Sequence, residues 1–171
     1  VEVPVVGDET AEADETFFVD LSEPMAATTA VRRATGTILN DESPWKNVGT
    51  GDFDKDGDVD ILWRHDTGQL AVWFMDGTTF VSGTFTNPPE LSDVAWRVRG
   101  TGDFNGDGRV DILWRHEGSG QLAVWFMDGV TLTSGALIDT SHPRDLAWRV
   151  RGTGDFDADG QVDILWQHEG S

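Results

Sequence analysis

The chain has 171 residues, 38% of them apolar, with eight Trp and nine Phe, a formal net charge of -19 and a pI near 4.2. That aromatic content can bury a core and argues against global disorder, while the acidity excludes a basic nucleic-acid footprint and adsorption on an anionic membrane, and favours cations. There is no cysteine, hence no disulfide, thiolate catalysis or zinc–thiolate site, and no apolar run is long enough to span a bilayer.

The chain opens on "VEVPVVGDE", where no signal peptide is visible. That says nothing of the compartment, because the sequence reads as cut at both ends. Residues 1–43 contain no Trp, and every Trp lies from Trp45 onward. "TFFVDLS" has the period-2 alternation of a strand, and "ATGTILND" follows as a second β-run. Gly7-Asp8, Glu12, Asp14-Glu15-Thr16-Phe17, Leu21-Ser22, Gly36-Thr37-Ile38 and Asn40-Asp41 resemble the C-terminal part of a Calx-beta domain. The resemblance implies a partial Ig-like β-sandwich over about 1–43. From the calcium-binding members it implies ligands at Glu12, Glu15 and Asp41, with Asp8 a further candidate. "ILNDESPWKN" then marks a turn or linker, which places a boundary at about residues 43–44.

A tandem repeat follows. "WRVRGTGDF" occurs at 96–104 and 148–156, with "WKNVGTGDF" at 45–53, and "GQLAVWFMDG" at 68–77 and 120–129. Asp52 to Asp103 is 51 residues and Asp103 to Asp155 is 52. Repeats are expected at about 45–95, 96–147 and 148–171, the third incomplete. Each contains short runs rich in Val, Ile, Leu, Trp and Phe, bounded by Gly, Asp and Asn, and "DG" at 76–77 and 128–129 predicts tight hairpin turns. Ile61 and Trp63 oppose Leu62 and Arg64, and Leu70, Val72 and Phe74 oppose Ala71, Trp73 and Met75. Apolar residues on both faces predict strands covered on both sides. Four such strands in about 50 residues predict a propeller blade stacked between neighbours. The expected fold is all-β, a partial β-propeller of two blades and the start of a third.

In each repeat "GDF" opens an acidic loop of nine positions. The first holds Asp52, Asp54, Asp56, Gly57, Asp58 and Asp60; the second Asp103, Asn105, Asp107, Gly108, Arg109 and Asp111; the third Asp155, Asp157, Asp159, Gly160, Gln161 and Asp163. Positions 1, 3, 5 and 9 always carry a side-chain oxygen. Position 7 varies among Asp, Arg and Gln, so there only the backbone carbonyl is common to all. Oxygens at alternate positions, with Gly at position 6 for the sharp turn, suit calcium, which takes six to eight oxygen ligands; magnesium demands a tighter octahedron. Without a cation, each pair of carboxylates ~4 Å apart would repel by on the order of 4 kcal/mol at an effective dielectric of ~20. The helix–loop–helix calcium motif does not fit. Its position-12 Glu is replaced by Trp63, Trp114 and Trp166, and the loops join β-runs.

Residues 45–171 therefore resemble FG-GAP or VCBS-type repeats, the calcium-loop blades of integrin alpha propellers and of many secreted bacterial proteins, through "GTGDFDKDGDVDILW" and its two copies. The resemblance implies a seven-bladed propeller with a calcium loop between two strands of each blade, and about three calcium ions here. It assigns metal ligation to Asp52, Asp54, Asp56, Asp58, Asp60, Asp103, Asn105, Asp107, Arg109, Asp111, Asp155, Asp157, Asp159, Gln161 and Asp163. Arg109 and Gln161 would act only through their carbonyls. Ring closure would need further blades from sequence outside this stretch or from another chain.

His65, His116 and His168 recur after Trp-Arg or Trp-Gln, which predicts a structural role, and the recurring Trp are expected to fill the space between blades. "EGSGQ" at 117–121 is not a nucleophile elbow, and no phosphate-cradling glycine loop occurs. No catalytic residue and no organic cofactor are expected. The reading is a calcium-binding structural or adhesion module of a large secreted or surface protein, with protein or glycan partners at a cell surface. A glycan-binding propeller and an accessory region of a secreted hydrolase are the alternatives.

Overall fold

A computed structural model describes residues 15–20, 33–38, 43–138 and 145–170. Gly7, Asp8, Glu12, Asp14, Leu21, Ser22, Asn40 and Asp41 lie outside the described residues, as does the stretch joining the second and third repeats at 139–144. Among the described residues there are strands and turns and no helix. Backbone proximity divides the chain into two units, Val1–Pro44 and Trp45–Ser171.

In the first unit, β1 (Glu15–Asp20) pairs antiparallel with β2 (Arg33–Ile38), from Glu15 opposite Ile38 to Asp20 opposite Arg33. The Arg33 guanidinium lies 4.9 Å from the centre of the Phe18 ring, a cation–π contact that covers part of an exposed aromatic.

The second unit is a partial β-propeller. Its first blade is β3 (Trp45–Gly51), β4 (Asp60–His65), β5 (Gln69–Asp76) and β6 (Thr79–Glu90), each antiparallel to the next. Its second is β7 (Trp96–Gly102), β8 (Asp111–His116), β9 (Leu122–Asp128) and β10 (Thr131–Ile138). The third contributes β11 (Trp148–Gly154) and β12 (Asp163–His168). The Asp-Gly pairs turn β5 into β6 and β9 into β10, with Gly77 and Gly129 at φ 58° and 60°, a region that favours glycine.

Period-2 alternation sets which blade each residue faces. Leu62, Leu70 and Val72 of the first blade are buried with Ile112, Trp114 and Met127 of the second, and form the first seam. The opposite face of the second blade, with Leu113, Leu122 and Val124, packs with Val150, Ile164 and Trp166 of the third to form the second. Trp residues thus fill the seams at Trp114 and Trp166. Trp73 departs from that expectation: it is 43% exposed, with Trp63 tilted against it and Phe80 meeting it edge-on, on the face of the first blade away from the second.

Two further features hold the blades in register. The first strand of each blade carries Gly-Thr-Gly. Thr101 donates its hydroxyl to the Thr50 carbonyl at 2.6 Å, and Thr153 donates to the Thr101 carbonyl at 2.7 Å. The approach is close enough that a Cβ on Gly49 would stand 2.7 Å from Thr101 Cγ2, and one on Gly100 would stand 2.5 Å from Thr153 Cγ2. At the rim, Asn87 and Thr131 make one parallel pairing, with the Asn87 N–H donating to the Val130 carbonyl at 2.8 Å. This joins the first two blades into one sheet of order β3-β4-β5-β6-β10-β9-β8-β7. Sequence periodicity does not reveal that rim contact, because it comes from the extension of β6 through Thr86-Asn87-Pro88-Pro89-Glu90, which the second repeat does not copy.

Candidate metal centre

Each acidic loop joins the first strand of a blade to its second: residues 52–60 between β3 and β4, 103–111 between β7 and β8, and 155–163 between β11 and β12. The three loops share one backbone course. Position 4 lies in the left-handed region, at φ 66° for Lys55, 76° for Gly106 and 64° for Ala158. Position 6 does too, with Gly57, Gly108 and Gly160 at 98°, 75° and 85°. Two left-handed residues with one residue between them curl the chain so that alternate residues point at the same centre.

Side chains within each loop reinforce the curl. The position-1 carboxylate accepts the position-6 N–H, from Gly57 to Asp52 at 3.0 Å, Gly108 to Asp103 at 2.7 Å and Gly160 to Asp155 at 2.9 Å. The position-5 N–H is shared between oxygens at positions 1 and 3 in every loop. The position-7 N–H donates to the position-5 carboxylate at 2.7–2.8 Å. Position 7 therefore turns its backbone into the loop whatever its side chain, which accounts for Asp58, Arg109 and Gln161 occupying equivalent places.

The sequence-predicted ligands converge unequally. In the first loop Asp52, Asp54 and Asp60 bring one oxygen each to within 4.8 Å of one another; Asp56 and Asp58 are not in that trio. In the third loop Asp155, Asp157 and Asp159 do the same, without Asp163. The second loop forms no such acidic trio among the described residues, since Asn105 replaces an acid. There Asp107 accepts from Asn105 Nδ2 at 3.3 Å, and Arg109 Nη1 lies 3.5 Å from it. Arg109 Nε also donates to Asp128 at 2.9 Å. A cavity of about 340 Å³ lies between this arginine and the first loop, lined by Asp52, Asp54, Lys55 and Asp128 among others.

The position-9 aspartates have a role that spacing did not reveal. Asp60 Oδ2 accepts the Phe53 N–H at 2.8 Å and its Oδ1 accepts the Met75 N–H at 3.0 Å. Asp111 repeats this with Phe104 at 2.9 Å and Met127 at 3.0 Å, and Asp163 accepts from Phe156 at 3.0 Å. Asp60 and Asp111 are 0% exposed. Each ties the start of its loop to the third strand of its blade, and each oxygen keeps a second lone pair. The only hint in the sequence was the fixed seven-residue interval from Phe to Asp.

The crowded acids of the loops act on one another's carboxyls. Partial desolvation within the loop and the surrounding charges of Asp56, Asp60 and Asp52 raise the exposed Asp54 carboxyl above its usual range against one opposing backbone bond. Burial likewise raises Asp111, with Asp107 and Asp103 adding to it, against the N–H bonds from Met127 and Phe104. For Asp103 burial pushes upward too, but backbone N–H bonds from Gly108, Gly106, Asp107 and Asn105 outweigh it and hold the carboxyl low. A hard divalent ion fits this donor set: oxygen only, several carboxylates, and a backbone already wrapped around their centre.

The recurring histidines lie outside these loops. His65, His116 and His168 each meet the Trp that begins their blade edge-on, at 5.0, 5.3 and 5.1 Å between ring centres. His116 and His168 also face Asp93 and Asp145 in the connection leading into that Trp.

A family model described as FG-GAP-like repeat matches residues 52–114 and again 103–166, together about two thirds of the chain. A search of curated proteins found no match.

Proposed function

This chain belongs to the FG-GAP-like repeat family, and from that premise we propose that its second unit is a calcium-stabilised, non-catalytic propeller module working outside the cell. The observation that carries the reading is the convergence of carboxylate oxygens to within 4.8 Å in the first and third loops, on a backbone that curls around them. Asp52, Asp54 and Asp60 would hold the ion in the first loop, with Asp56 and the Asp58 carbonyl completing the shell. Asp155, Asp157 and Asp159 would do so in the third, with Asp163 and the Gln161 carbonyl. In the second, Asp103, Asn105, Asp107, Asp111 and the Arg109 carbonyl are the candidates. Bound calcium supplies charge neutralisation and a cross-link between the first two strands of a blade. The chain's own part is to hold the carboxylates close in spite of their repulsion, which Asp60 and Asp111 do by anchoring the loop to the third strand.

The extracellular setting follows from the ion. At a calcium concentration a hundredfold above the dissociation constant, each site adds about 2.7 kcal/mol, whereas the low calcium of a cytosol would leave the loops repelling. Calorimetric titration of chelator-stripped protein, with thermal melts in calcium and in chelator, tests the proposal. Two or three sites and a rise of several degrees in midpoint are expected. Folded protein giving neither heat nor a shift would overturn it.

A further inference from the structure

The second seam holds a cation that the calcium reading does not use. Arg115, on β8, is 0% exposed, and Nε, Nη1 and Nη2 all lack a hydrogen-bond partner among the described residues. A guanidinium carries five N–H donors and no acceptor, and one that is buried demands acceptors. The Arg115 guanidinium lies 5.7 Å from the Trp166 ring centre, a contact that partly offsets its charge but satisfies no N–H.

Neighbouring acids feel its charge but give it no hydrogen bond, being paired with other arginines. The Glu117 carboxylate pairs with Arg99 and lies 3.9 Å from Arg149. Glu169 pairs with Arg149 at 3.1 Å and with Arg151 at 3.6 Å. Arg99, Arg115 and Arg149 thus meet Glu117 and Glu169, more positive than negative charge at this place in a chain of net charge -19. The same position on the first blade, Arg64, is 5% exposed with Nε and Nη2 unpartnered. Trp114 Nε1, in that same first seam, is unpartnered as well.

Every buried unpartnered side-chain atom in the described residues is a nitrogen, and apart from the His168 ring nitrogen all of them are donors only. A water molecule would bring two donors of its own into a place short of acceptors. An anion brings acceptor capacity alone, together with the charge that Arg115 and its neighbours Arg99 and Arg149 call for. We propose that the Arg115 guanidinium, in the seam between the second and third blades, binds a small inorganic anion of the halide class.

The test is thermal melting of the whole chain in sodium chloride against sodium gluconate at equal ionic strength, with free calcium buffered to the same value in both. Gluconate is too large for a closed seam. Chloride is expected to raise the midpoint by about 5 °C in a saturable way, and Arg115→Met to abolish the difference. Crystals soaked in bromide should show anomalous scattering against the Arg115 guanidinium, a readout that decides the matter even if Arg115→Met fails to fold. Equal midpoints in the two salts, a chloride effect that survives in Arg115→Met, or bromide found only at other positions would overturn the proposal. Because calcium is constant throughout, such a failure would leave the calcium titration standing.

Discussion

Asp60 and Asp111 separate two jobs that the acidic loops combine. Both oxygens of each accept backbone N–H groups, one at the start of the loop and one on the third strand, so this anchoring does not depend on an ion. Asp111→Asn keeps the shape but replaces one acceptor with an NH₂ facing an N–H. It should cost about 2–3 kcal/mol in chelator as well as in calcium, read by denaturant melts. Asp54→Asn removes an exposed carboxylate that its neighbours repel, so it should leave the stability in chelator unchanged or slightly raised and weaken calcium binding. The sequence made the alternate acids legible because ligand spacing is a local property. The anchoring role of position 9 was not legible, because its second partner, Met75 or Met127, lies fifteen or sixteen residues away.

Taken as elements, the three loops are not equivalent. Arg109 places a guanidinium beside Asp107 and spans to Asp128, so the second loop should bind calcium most weakly. Arg109→Ser frees both acids and is expected to tighten that site about tenfold in calorimetry. The first strand of each blade, the inner one where neighbouring blades approach most closely, gives a sharper contrast. Gly100→Ala drives a methyl to 2.5 Å from Thr153 Cγ2 and should destabilise by about 1–3 kcal/mol. Gly152→Ala meets nothing within 4 Å and should stay within about 0.5 kcal/mol of the parent. Repetition made the strands and turns readable, since each repeat confirms the pattern of the last. The bulge after the third residue of β3, β7 and β11 was not readable, because a one-residue register shift leaves the alternation on either side intact.

Across the whole propeller unit, the charges segregate along the blades. The acidic loops follow the ends of the inner strands, while Arg97, Arg99, Arg149 and Arg151 cluster near their beginnings. Glu117 joins two blades within that second cluster. Burial works to raise its carboxyl, but the Arg99 hydrogen bond and the charges of Arg99, Arg115 and Arg149 hold it below its ordinary 4.5. A lowered carboxyl contributes stability above its unfolded value and loses it as pH falls through the folded one. Glu117→Gln should therefore cost about 1 kcal/mol at pH 7, modest because the side chain is a third exposed. The difference from the parent should close as the pH drops below the usual glutamate range, measured by melts across pH. The network is invisible in composition, which reports only an acidic chain, because the few arginines matter by where the fold gathers them.

The threonine contacts between inner strands run one way: the hydroxyl of Thr153 reaches back to Thr101, and that of Thr101 back to Thr50. Every unit thus carries a plug on one side and a socket on the other, and the two are the same pair of residue types throughout. Copying one whole unit of the gene in tandem supplies both halves of each new joint at once, so the array can lengthen or shorten without any joint having to be reinvented. A copy cut out of phase would divide plug from socket and leave both neighbours unmatched. The repeat length of 51 or 52 residues is in this sense a unit of inheritance as much as a unit of folding.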